Sequence, residues 1–90
     1  MIDSIVKIIN PLGLHARAAA QLVRLAGKFK SKINLVRQDN NVMADAKSIL
    51  SVLTLAAARG IELKMIVEGD DEREASEAIT DLISKGFGEI

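Results

Sequence analysis

From Ile2 to Ile9 the chain is rich in β-branched residues, with Val6 and Ile8 on one side of an alternating pattern, and the run stops at Asn10-Pro11-Leu12-Gly13, a dense turn signal. The pattern predicts a strand and then a loop. From Ala16 to about Lys28 the positions Ala19, Leu22, Val23 and Ala26 recur at helical spacing, with Gln21, Arg24 and Lys28 opposite them, which predicts an amphipathic helix. Lys32 to Arg37 alternates again through Ile33 and Leu35. Asp39-Asn40-Asn41 then supplies a turn before a short strand near residues 42–44, which makes a hairpin. Ser48 opens a second helix with Val52 and Leu55 spaced to face inward, and Arg59-Gly60 reads as a basic last turn followed by a stop. Ile61, Leu63, Met65 and Val67 mark a half-buried strand ending at Gly69. In the last helix Asp71 and Glu74 stand at capping-box spacing, Ala75, Ala78, Ile79, Leu82 and Ile83 share a face, and Lys85-Gly86 closes it. The order βαββαβα, without repeat or linker, points to an α+β two-layer open-faced sandwich: a four-stranded antiparallel sheet with three helices on one face.

Composition narrows what such a domain can do. At 90 residues, 49% of them hydrophobic and 27% charged, the chain is expected to form a single domain spanning residues 1–90. Phe29 and Phe87 are the only aromatics, poor equipment for stacking on bases. The absence of Cys excludes disulfides, zinc-thiolate sites and cysteine nucleophiles, and a single His leaves little for a metal cluster. No uncharged run approaches transmembrane length, and Asp3 and Lys7 come too early for a signal peptide, so a cytoplasmic protein is expected with no direct membrane insertion. The net charge of zero conceals a division. Residues 1–37 carry Lys7, Arg17, Arg24, Lys28, Lys30, Lys32 and Arg37 against Asp3 alone, and the rest of the chain carries the compensating acidic excess. The asymmetry suggests a basic face for an anionic ligand or acidic partner and argues against general nucleic-acid binding; alternatively the two parts interleave in space and the field averages out.

The one histidine, His15, falls directly after the turn and directly before the first helix, as a candidate N-cap or near-cap residue. Backbone N–H groups there lack intrahelical partners and the helix dipole is positive, so an anion beside the imidazole is stabilised. Arg17 adds a fork of donors suited to phosphate. His15, the N–H groups of Ala16, Arg17 and Ala18, and the Arg17 guanidinium together suit a phosphoryl group carried on an imidazole nitrogen, which is nucleophilic when unprotonated. Taken alone, a histidine at a helix start is more often a solvated surface residue.

The wider string decides differently. Gly13-Leu14-His15-Ala16-Arg17 followed by Ala18-Ala19-Ala20, after a strand and an Asn-Pro turn, closely resembles the active-site segment of the HPr family, the histidine-containing phosphocarriers of the bacterial phosphoenolpyruvate:sugar phosphotransferase system. The resemblance extends over essentially the whole chain. Ala46-Lys47-Ser48-Ile49-Leu50, followed by Leu53-Thr54-Leu55, resembles the family's regulatory-serine segment, in which Ser48 would be phosphorylated by HPr kinase/phosphorylase. A serine there could equally be only an N-cap, accepting from the N–H of Leu50 or Ser51. One departure is Ala18, where the family usually has proline. Alanine keeps a good helix former and adds one N–H donor, so the fold and an anion site should survive, while the positioning of the ring and the transfer rate come into question.

The resemblance implies a monomeric carrier that takes a phosphoryl group from Enzyme I on His15, through the δ1 nitrogen, and gives it to IIA proteins. It implies no cofactor and no metal, and a carrier that is a substrate of its partners rather than an enzyme with its own turnover. Ala20, Ile49, Leu50 and Leu53 would form an apolar docking patch rimmed by Arg17, Arg24 and Lys28, unless the short second helix rolls to bury Leu50 or Leu53. Two other readings stay open: a nitrogen-related branch of the family that passes phosphate to regulatory IIA proteins without sugar transport, and a small-molecule-binding regulatory module that never carries phosphate.

Overall fold

The alternation along the strands becomes the two faces of a sheet. A computed structural model describes residues 1–89 as β1 (Ile2–Lys7), α1 (Ala16–Ala26), β2 (Lys32–Arg37), β3 (Met43–Asp45), α2 (Ile49–Thr54), β4 (Glu62–Glu68) and α3 (Glu72–Ser84), with a 3₁₀ turn at Gly86–Gly88. The strands form one antiparallel sheet in the order β1-β4-β2-β3, so the last strand in sequence lies inside, pairing Leu63 with Val6 on one side and Val67 with Ile33 on the other. Leu63, Met65 and Val67 of β4 are fully buried while Glu62 and Glu68 are exposed, the two-residue period expected of a sheet covered on one side. Leu22 and Ala26 of α1, Val52 of α2, and Ile79 and Ile83 of α3 close the core above that inner face. Burying each of the large aliphatic side chains contributes about 2 kcal/mol. The α+β sandwich with its helices on one face is the architecture that the hydrophobic pattern predicts.

At two helix ends a tertiary bond, and not the local pattern, decides what the terminal groups do; β1 and α1 also end at Lys7 and Ala26, two residues short of the pattern. α2 stops at Thr54 and does not reach Arg59-Gly60. The carbonyls of Leu55 and Ala56 accept from Arg37 Nη1, at 2.9 and 3.2 Å, and Ala56 adopts a left-handed φ of 47°. At the start of α3, Asp71 is the N-cap residue but makes no side-chain cap bond, so the capping box with Glu74 is absent. Its carboxylate instead accepts from the N–H groups of Lys30 and Ser31, at 2.8 and 2.9 Å, and from the Ser31 hydroxyl. These bonds, the Ser31 hydroxyl's foremost, hold the Asp71 carboxyl below its usual range and tie the end of the α1–β2 connection to α3.

The turn after β1 is seated on the segment that follows α2. Leu14 N–H donates to the Ala57 carbonyl at 2.9 Å, and Leu14 and Ala57 are both buried. Gly13 permits this approach. Its φ is +68°, and a methyl group on its Cα would lie 2.5 Å from the Ala57 carbonyl oxygen and 2.9 Å from Ala58 Cα. We expect Gly13→Ala to reduce the unfolding free energy by about 2–4 kcal/mol, from the left-handed backbone together with the clash against main chain. Urea denaturation checks this, and a stability equal to that of the parent would contradict the seating.

Candidate functional site

α1 starts where the chain leaves the seated turn, and His15 is its N-cap residue with an extended backbone. The His15 carbonyl accepts the first intrahelical bond, from Ala19 N–H at 2.8 Å. The N–H groups of Ala16, Arg17 and Ala18 therefore have no partner within the helix. α1 has no acidic residue in its first turn, so its own sequence supplies nothing to offset the positive end of the dipole.

The His15 ring does not cap the helix; it turns to the other end of the chain. Its Nε2 lies 2.5 Å from Glu89 Oε2, with the two side chains 26% and 15% exposed. The second oxygen of Glu89 accepts from Asn10 Nδ2 at 3.0 Å, and the same amide nitrogen donates to the Gly13 carbonyl at 2.8 Å. Asn10 is fully buried, so its amide links the seated turn to the chain end. The bonds from Asn10 and His15 hold the Glu89 carboxyl below its usual range against the opposing effect of desolvation, and the nearby charges of His15 and Arg17 act in the same direction.

Glu89 reaches this place through a tight turn. Gly86, Phe87 and Gly88 all have left-handed φ values, of 61°, 57° and 76°. For Phe87 that conformation is unfavourable, and burial of its ring in the core offsets the strain. Gly88 N–H donates to the Lys85 carbonyl and Glu89 N–H to the Gly86 carbonyl, which leaves the Glu89 side chain directed at His15. Pro11, Leu12, His15, Arg17, Gly88 and Glu89 line an open depression of about 560 Å³. It has room for a phosphoryl group presented by another molecule, and it is lined by an imidazole, a guanidinium and a carboxylate.

The structure brings together only part of the residue set expected from sequence. His15 and Arg17 line one depression. Ala18 turns its methyl group into the core, so only its N–H belongs to the helix end. Ala20 is half-buried, while Arg24 and Lys28 are exposed on α1. On α2, which packs against α1, Val52 points inward and Ile49, Leu50 and Leu53 stay exposed, Leu50 at 75%; the short helix does not roll to bury them. Ser48 is half-buried at the α2 N-cap, where its Oγ accepts from Ser51 N–H at 3.3 Å. Among the described residues, no group of three or more His, Cys, Asp or Glu side chains could hold a metal ion, and no helix is long and apolar enough to cross a membrane. Glu89 and Asn10 are the site residues that sequence reasoning misses. Asn10 reads only as part of a turn, and Lys85-Gly86 reads only as the close of the last helix, without indicating which distant side chain Glu89 meets.

Known proteins resemble the chain throughout. Residues 2–85 match the family described as PTS HPr component phosphorylation site. The chain is 49% identical over 82 residues to phosphocarrier protein HPr of Cupriavidus necator, covering 91% of this chain and 90% of that one. It is 43% identical over 89 residues to phosphocarrier protein HPr of Neisseria meningitidis, covering 99% and 98%. A crystal structure of HPr from Thermoanaerobacter tengcongensis superposes with a TM-score of 0.93 at 42% identity, covering 100% of this chain and 99% of the other.

The Glu89 bonds have a pH signature. A carboxyl held below its usual range contributes stability that is present above the ordinary glutamate range and is lost as pH falls through the lowered folded value. The parent should therefore be more stable than Glu89→Gln at neutral pH, with the difference shrinking on acidification. Urea midpoints measured across pH check this; a difference that grows toward acid would contradict it.

Proposed function

The chain belongs to the HPr family of phosphotransferase-system phosphocarriers, and from that premise we propose that His15 is the residue that carries the phosphoryl group, taking it from Enzyme I and giving it to a IIA protein. The supporting observation is the position of this histidine, the only one in the chain, at the open N-terminus of α1 with Arg17 beside it in the same depression. The Nδ1 lone pair attacks phosphorus in line with the departing imidazole of the donor, so one N–P bond forms as another breaks. Donation to the IIA protein is the same step in reverse. Since the bond type hardly changes, positioning and charge neutralisation carry the acceleration. The N–H groups of Ala16, Arg17 and Ala18 and the Arg17 guanidinium meet the phosphoryl oxygens.

Docking uses the exposed apolar groups of α2, Ile49, Leu50 and Leu53, together with Ala20, rimmed by Arg17, Arg24 and Lys28 against acidic partner grooves. The carrier works as a monomer in the cytoplasm, and the phosphate serves sugar uptake or its regulation according to which IIA protein accepts it. Ser48 is the regulatory acceptor for an HPr kinase/phosphorylase. A phosphate there adds close to two negative charges inside the docking patch.

Incubation with phosphoenolpyruvate and Enzyme I should add the mass of one phosphoryl group in an acid-labile form, and His15→Ala should abolish it. Persistence of the label in that variant would contradict the assignment. For the regulatory site, Ser48→Asp should accept phosphate from Enzyme I more slowly than the parent, as followed by the rate of label uptake; unchanged kinetics would count against it.

A further inference from the structure

We infer that Glu89 is a positioning residue for phosphoryl transfer: its carboxylate, aimed by Asn10, fixes the His15 imidazole with the proton on Nε2 and so leaves Nδ1 as the nucleophile. The inference rests on the reading of His15 as the phosphoryl carrier and adds to that site a residue 74 positions away in sequence.

The chemistry follows from which atoms can donate. An ionised carboxylate has only acceptor sites, whereas a neutral imidazole has one N–H and one lone pair. Glu89 Oε2 stands at hydrogen-bond distance from His15 Nε2, so this nitrogen must carry the proton and the lone pair is left on Nδ1. The other carboxylate oxygen is held by Asn10, whose Nδ2 faces two acceptors, Glu89 Oε1 and the Gly13 carbonyl. That pair of acceptors fixes which end of the amide is the nitrogen. The carboxylate is thus aimed from the same turn that starts α1, and its backbone is held by the Glu89 N–H bond to the Gly86 carbonyl at 2.9 Å and by the buried Phe87 ring. The lowered pKa of the Glu89 carboxyl agrees with its being ionised.

During acceptance the Nδ1 lone pair forms the new bond to phosphorus while the electron pair of the broken bond stays on the donor imidazole. Nε2 keeps its proton throughout, and the positive charge gained by the His15 ring lies against the Glu89 carboxylate. On donation the electron pair returns to Nδ1 and the ring is again held in the same tautomer. A histidine ordered by a carboxylate in this way needs no reorientation between the two half-reactions.

The test uses the whole chain with Glu89→Gln and Glu89→Ala. An amide can accept from Nε2–H or donate to a bare Nε2, so glutamine keeps the shape and loses the preference. Long-range ¹H–¹⁵N spectra of the unphosphorylated proteins, at a pH where the ring is neutral, should show the Nε2–H tautomer alone in the parent and a mixture in both variants. Label uptake from phosphoenolpyruvate and Enzyme I should fall about tenfold in both. A parent with the proton on Nδ1, a tautomer unchanged in both variants, or unchanged uptake would overturn the inference. If the parent takes up no phosphate at all, the phosphocarrier reading itself fails, and the tautomer spectra still decide whether Glu89 fixes the ring.

Discussion

The seating of the Asn10–Leu14 turn on the backbone of Ala57 and Ala58 is the constraint on which the rest of the site depends. Leu14 donates to the Ala57 carbonyl, and Gly13 lies so close to the same segment that no side chain fits between them. That contact determines where α1 begins and therefore where its unpaired N–H groups point. It also occupies a carbonyl just beyond α2, while Arg37 occupies the two before it. The short α2 and its exposed apolar side chains and the open end of α1 are thus consequences of one packing arrangement.

The electrostatics of the site are distributed over the length of the chain. The first turn of α1 contains Arg17 and no acid. The carboxylate that faces His15 arrives from 74 residues away, delivered by a left-handed turn whose strain is offset by burying Phe87. A positive helix end with an acid of distant origin can hold an imidazole in one orientation and still receive an anion on the other side of the ring. The uneven distribution of charge along the sequence acquires a local meaning here, because Arg17 from the basic part and Glu89 from the acidic part line the same depression.

Much of this was legible in the sequence, and what was not shares one physical cause. The strands and their inner faces follow from a period of two, and Leu22, Ile79 and Ile83 from the helical period, because burial on one face imposes a pattern on neighbouring residues. His15 is legible because a turn signal and a helix start meet at the only histidine, and the string around it resembles a known family. The end of α2 and the role of Asp71 are not legible, since each is set by a partner remote in sequence: Arg37 for the first, Ser31 for the second. Glu89 belongs with them. The hydrogen bonds that Asn10 and His15 make to Glu89 leave no periodic trace.

The central claim is that one nitrogen of His15 carries the phosphoryl group while the other keeps its proton against Glu89. A ¹⁵N spectrum of the phosphorylated, ¹⁵N-labelled protein with ³¹P coupling tests it most directly. Phosphorus should couple to His15 Nδ1 with a proton retained on Nε2; phosphorus on Nε2, or on any other side chain, would contradict the claim.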